Sequence, residues 1–167
     1  MEITTEHVQA AMIHASRTGD LPLLKELLDA KHDVNFADEK GYTPLIIACY
    51  NGKIEAAKML IDVGADVNAQ DKSGNTALMG VCFKGYPNIA ELLITSGAEL
   101  DLQHGNGGTA LMFAALFGRN DIIRMLLKHC ADASKTDFRG MTARDHAMQQ
   151  GNEEGAEILE AVAAEKV

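Results

Sequence analysis

Tryptophan is absent from the 167-residue chain and only 5% of its residues are aromatic. A core must therefore be built from Leu, Ile, Ala, Met and Val, a vocabulary that suits helices. Basic residues are also scarce: 15 Lys and Arg stand against 24 Asp and Glu, a formal charge of −9. Phosphates and anionic lipids are not drawn to such a surface, which argues against nucleic acid and against a membrane and leaves a basic protein partner open. Cysteine is limited to three, without C-x-x-C spacing, so no disulfide framework is expected and all three thiols read as reduced. No apolar run approaches the roughly eighteen residues of a membrane span. The start, MEITTEHVQAAMIHAS, lacks the basic head and apolar stretch of a secretory leader. The expectation is a soluble, cytoplasmic monomer folded as a single domain over residues 1–167.

What the chain does have is a period. TPLIIACYNG (Thr43 to Gly52), TALMGVCFKG (Thr76 to Gly85) and TALMFAALFG (Thr109 to Gly118) follow one another at intervals of 33 residues. Gly41, Gly74, Gly107 and Gly140 keep the same interval, as do Gly19, Gly52, Gly85, Gly118 and Gly151, and so do Leu27, Leu60, Leu93, Leu126 and Leu159. Five copies fill the chain, at about 5–37, 38–70, 71–103, 104–136 and 137–167.

Local chemistry assigns each copy a shape. Thr43 caps a short helix, and Pro44 fits its first turn, where a missing N–H costs nothing. Gly52 ends that helix. A second helix, from about Ile54 to Val63, buries Ala57, Leu60 and Ile61 and stops at Gly64. The stretch DVNAQDKSGNT (Asp66 to Thr76) is too rich in turn formers to be helical and reads as a protruding turn. Helices this short are marginal alone, so the copies must stack, and the expected fold class is all-α: a solenoid of helix-turn-helix units with protruding β-turn or hairpin tips. The end copies depart from the pattern. The first lacks the T-x-L motif, and in the last Arg144 and Asp145 replace the apolar pair Leu111 and Met112. Both read as capping repeats with one solvated face. Leu93, in the middle, should therefore matter more to stability than Leu159 near the end.

GYTPLIIACYNG, GADVNAQD and GNTALM, in register with these series, resemble the ankyrin repeat family, whose unit has this period and a T-P-L-H-x-A signature. The resemblance covers essentially the whole chain. One departure is consistent: Ile46, Met79, Met112 and Asp145 stand where the family carries His, so the polar link usually made by that His is replaced by helix packing. Cys130 stands where Gly64 and Gly97 do, and the fourth helix-to-turn junction is expected to bend differently.

Catalytic and metal-binding chemistry finds little support. His7, His14, His32, His104, His129 and His146 form no HxxxH or HExxH arrangement. HGNGG (His104 to Gly108) is glycine-rich but falls where each copy puts its turn. Cys49 and Cys82 occupy equivalent packing positions. In the acid-rich end EEGAEILEAVAAEKV, Ile158, Leu159 and Val162 should turn inward.

The residues left free by the repeat are more informative. Tyr50, Phe83 and Leu116 lie two places before the closing Gly, and Asn51, Lys84 and Phe117 one place before it. The ankyrin resemblance implies that these helix ends face a concave groove, beside the tip residues Glu39, Lys40, Tyr42, Lys72, Ser73, Asn75, Phe138, Arg139 and Met141. A protein partner would meet Tyr50, Phe83, Lys84, Leu116 and Phe117 together with Tyr42, Lys72, Asn75, Phe138 and Arg139. The expected function is non-enzymatic, without cofactor or metal: a scaffold for protein–protein interaction. Two other classes compete with it, a metal-dependent enzyme using His104, His129 and nearby acids, and a self-associating structural element.

Overall fold

The computed structural model describes residues 4–165, which form five helix pairs and no strand. They are α1 (Thr5–Thr18) with α2 (Leu21–Asp29), α3 (Pro44–Tyr50) with α4 (Ile54–Asp62), α5 (Ala77–Lys84) with α6 (Pro87–Thr95), α7 (Ala110–Leu116) with α8 (Asn120–Lys128), and α9 (Ala143–Gln149) with α10 (Glu153–Glu165). Thr43, Thr76 and Thr109 cap their helices as the spacing predicts, each hydroxyl accepting from an N–H three residues on, at 3.2–3.4 Å. The first copy, which lacks that motif, uses Thr4, which accepts from the His7 N–H at 3.3 Å. In the last copy Asp145 completes a reciprocal cap with Thr142, whose N–H and hydroxyl it accepts at 2.8 Å, so this acid serves the start of α9.

The pairs stack in two rows. The inner row is α1, α3, α5, α7 and α9, and the outer row is α2, α4, α6, α8 and α10. Small buried residues on the inner helices, among them Ala48, Ala77, Ala110, Ala114 and Ala143, let these approach one another closely. Leu and Ile are buried on both rows, among them Leu45, Leu78 and Leu111 on the inner helices and Leu60, Ile122 and Leu126 on the outer ones. Inner helices are packed more closely against one another than outer ones at every step of the stack. One core cluster runs from Met12 to Leu159.

Cys49 and Cys82 belong to this core. The same place in the repeat is filled by Ser16 and Ala115 and, in the last copy, by the exposed Met148, so where a further copy stacks on it the place selects for small volume rather than thiol chemistry. Burial pushes the Cys49 thiol up to about 12 and raises that of Cys82 as well, which makes both inert. Cys130 is free and exposed.

The fourth junction does not bend differently. Cys130 takes the left-handed conformation, φ 67°, and Lys31 does the same in the first copy, φ 57°. Cys130 N–H reaches the Leu127 carbonyl at 2.9 Å and Ala131 N–H reaches Leu126 at 3.0 Å, reproducing the pair made by Gly64 with Ile61 and Ala65 with Leu60. A Cβ placed at Gly64 or Gly97 would meet nothing within 4 Å. A side chain therefore fits here, and the cost of Cys130 is only its backbone strain, about 1–2 kcal/mol.

A further set of links joins the copies behind the turns. Asn35 donates to the Gly64 carbonyl at 3.1 Å and accepts from the Asp66 N–H at 2.8 Å. Asn68 repeats this with Gly97 at 3.3 Å and Glu99 at 2.8 Å. In the third copy Asp101 accepts from the Asp132 N–H at 2.8 Å, but a carboxylate has no proton to donate to the next carbonyl.

The two ends are finished unequally. Leu60, Leu93 and Leu126 are wholly buried and Leu159 is 2% exposed, whereas Leu27 is only half-buried. At the carboxyl end, Asn120 and Asn152 exchange side-chain hydrogen bonds at 2.8 and 3.2 Å. Glu154 takes a bond from Asn120 and an ion pair from Arg124, both at 2.9 Å. Arg144 pairs with Glu160 at 3.3 Å. Ile158 and Val162 are half-buried.

Candidate functional site

Each turn between pairs is fixed by one side chain. The carboxylate of Asp38 accepts from Lys40 and Tyr42 N–H at 2.8 and 2.9 Å, that of Asp71 from Ser73 and Asn75 at 2.8 and 2.9 Å, and that of Asp137 from Arg139 and Met141 at 2.8 and 3.0 Å. An Asp bonding its own backbone ahead is a local turn former. His104 stands in for Asp in the third turn, its Nδ1 accepting from Asn106 N–H at 3.2 Å. Successive turns are then joined through the backbone: Lys72 N–H to Lys40 carbonyl at 3.0 Å, Gly105 to Ser73 at 2.8 Å, Phe138 to Asn106 at 3.0 Å. The expected hairpin tips are thus β-turns on a ladder, with no strand among the described residues.

Between the turns and the inner helix ends lies a groove of about 520 Å³, lined in part by Arg17, Tyr42, Tyr50, Asn75 and Phe83. Tyr50 and Phe83 on its floor begin an aromatic row that Phe117 continues beyond the groove lining. Tyr50 and Phe83 stack with centroids 6.2 Å apart and planes 6° from parallel, and Phe83 meets Phe117 edge-on at 4.6 Å. Tyr50 is 44% and Phe117 39% exposed, while Phe83 is half-buried between them. Lys84 holds its ammonium 4.9 Å from the centre of the Tyr50 ring, within cation–π range. Arg119 donates to the Phe83 carbonyl at 3.1 Å, which pins the end of α5.

Other predicted residues are dispersed. Tyr42 and Asn75 are half-buried at the groove wall, and Tyr42 packs against the core. Leu116 is half-buried at the end of α7, and the row continues through its neighbour Phe117 instead. Lys72 and Arg139 are exposed on the turns, and Phe138 is 80% exposed. Sequence reasoning missed Arg17, which in the first copy occupies the place of Tyr50 and Phe83. The shared interval would have found it. His104 sits with its ring 5.3 Å from that of Phe113. Among the described residues no group of three or more His, Cys, Asp or Glu is arranged to hold a metal, and no helix is long and apolar enough to cross a membrane.

The last turn carries a buried pair. His146 Nε2 lies 3.0 Å from Asp137 Oδ2, both side chains under a tenth exposed. Burial pulls the Asp137 carboxyl upward, but the N–H groups of Met141 and Arg139, the His146 bond and the Arg139 charge outweigh it and hold it below its ordinary value. A carboxyl with a lowered folded-state pKa contributes stability that is complete above the unfolded value of about 4 and is lost as pH falls through the folded one. Denaturant midpoints measured from pH 6 down to pH 2 should therefore fall more steeply for the native chain than for Asp137→Asn. Parallel slopes would remove the turn carboxylate from the acid response.

A family model for ankyrin repeats (3 copies) matches residues 11–104 and again 78–166. Among curated proteins, none matches the chain.

Proposed function

Since the chain belongs to the ankyrin repeat family, whose members are generally protein–protein interaction modules and typically non-enzymatic, we propose that it is a scaffold holding one protein partner along its concave groove. Tyr50 and Phe83 form the floor of the site, Phe117 continues their row, and Leu116 and Lys84 flank it. Tyr42, Lys72, Asn75, Phe138 and Arg139 reach the partner from the turns. The observation that carries this reading is the ring row: two of its three members are more than a third exposed, and such aromatic surface on a rigid frame is what binding anchors are made of. The scaffold acts as a cytoplasmic monomer, a placement supported by its three free thiols.

The partner is to be captured from lysate on immobilised chain, identified, and titrated against the native protein and the Tyr50→Ala, Phe83→Ala double variant. Loss of both rings should weaken binding by about 2 kcal/mol or more, with a thermal midpoint close to that of the native protein. Normal binding by the double variant would move the site off the groove, and unfolding would make the rings part of the core.

A further inference from the structure

The formal charge of −9 favours a basic partner at first sight, but the charge is unevenly placed. The central inner helices α3, α5 and α7 contain no Asp or Glu, and their one charged residue is Lys84. The acids lie largely on the outer row and its loops, among them Glu55, Asp62, Glu91 and Asp121. The carboxylate that does line the groove, Asp71, is already engaged: besides two backbone N–H groups it accepts the Asn75 side chain through both oxygens, at 3.3 and 3.1 Å. The cations beside it are engaged by no carboxylate: among the described residues Arg17, Lys40, Lys72 and Lys84 make no ion pair. Glu39 on the first turn is an exposed acid beside Lys40, and Glu6 and Asp38 line a second cavity on the far side of Arg17 without pairing with it. Arg17 lines the groove with Tyr50, and Lys84 lies over that ring from the next copy, so the most exposed ring of the floor is flanked by two unpaired cations.

We infer that the groove takes an extended acidic segment of the partner protein. Its Asp or Glu carboxylates are received by Arg17 and Lys84, and a large apolar side chain lies on Tyr50 and Phe83. This rests on the groove reading and adds to it the chemistry of the partner. Both cations also sit in the last turn of a helix, where positive charge is favoured by the dipole. That role affects stability alone and does not select among peptides, which gives the experiment its discriminating readout.

Random short peptides displayed on phage are to be selected on the immobilised full chain, and the leading sequence synthesised with a fluorescent label. Selected sequences should be enriched in Asp and Glu beside Phe, Tyr, Leu or Met. The labelled peptide should lose about tenfold or more in affinity on Arg17→Glu with Lys84→Glu, less on the milder Arg17→Gln with Lys84→Gln, and bind more weakly as salt is raised. Thermal midpoints of all variants are measured alongside. Sequences enriched in Lys and Arg, sequences with no consensus, or full affinity in the charge-reversed chain would overturn the inference. A peptide lost on Tyr50→Ala with Phe83→Ala but indifferent to the charge changes leaves the groove as the site and removes its acidic preference. One indifferent to both sets of variants removes the groove itself.

Discussion

Leu93→Ala should lower the stability of the chain by about 2–5 kcal/mol, the range for emptying a buried leucine site. Leu93 is wholly buried in α6, with α4 on one side and α8 on the other, so neither neighbour can collapse into the space without disturbing its own packing. The matching change at Leu27 should be the mildest of the leucine series. That side chain is half-buried, and no copy precedes it among the described residues. Leu159 is different from what its terminal position suggests. It is 2% exposed, and the Asn120–Asn152 and Arg124–Glu154 contacts hold its copy in place, so its loss should cost nearer to Leu93 than to Leu27. Denaturant midpoints of the three variants decide the order. A Leu27 variant as damaged as the Leu93 one would mean that the amino end is as tightly closed as the centre.

Gly41→Ala should be about as severe, at about 3 kcal/mol, although it adds a single carbon at the surface. Gly41 has φ 84°, and a Cβ there would lie 2.7 Å from the backbone nitrogen of Lys72 and 3.0 Å from two backbone atoms of Asp71. Left-handed strain contributes about 1–2 kcal/mol and overpacking about 1–3. Loss of unfolded-state freedom offsets up to about 1. The backbone bond from Lys72 to Lys40 runs through the same contact, so the turn ladder must yield at its first step. Gly118→Ala is the control: its φ is 66° and nothing stands within 4 Å of the added carbon, so only the strain remains. Equal midpoints for the two variants would show that the ladder gives way freely.

The repeat was legible because its letters answer to local backbone needs. A Thr that caps, a Gly that turns the chain and a Leu that faces the stack are required wherever the unit recurs. The equivalence of Lys31 and Cys130 with Gly64 and Gly97 was not legible, since it depends on open space beside the junction and not on the residue itself. Nor were the Asn35 and Asn68 links. GADVNA reads as a turn because Asn forms turns, and its partner atoms lie in the next copy, where only the stacked fold brings them. In the groove, the spacing placed Tyr50 and Phe83 on one line. It pointed equally to Leu116 and Phe117 beyond them, and only the packed rings distinguish the two.

The missing donor at Asp101 has a consequence for how the stack comes apart. Where each copy touches only its neighbours, stability is the sum of unit and joint contributions, and the joint between the third and fourth copies lacks a donor link that the two joints before it have. Its outer link is half-made by Asp101 and Cys130 holds left-handed strain beside it, so on the inner side the joint relies on Arg119 at the Phe83 carbonyl and on the Phe83–Phe117 contact. An opening at this joint would divide the chain into two cooperative blocks, one ending near residue 103 and one beginning near residue 104. The aromatic row crosses that division, with Tyr50 and Phe83 in the first block and Phe117 in the second. A partner laid along the row engages only the closed form, so its binding would fuse the two blocks into one unit that melts together.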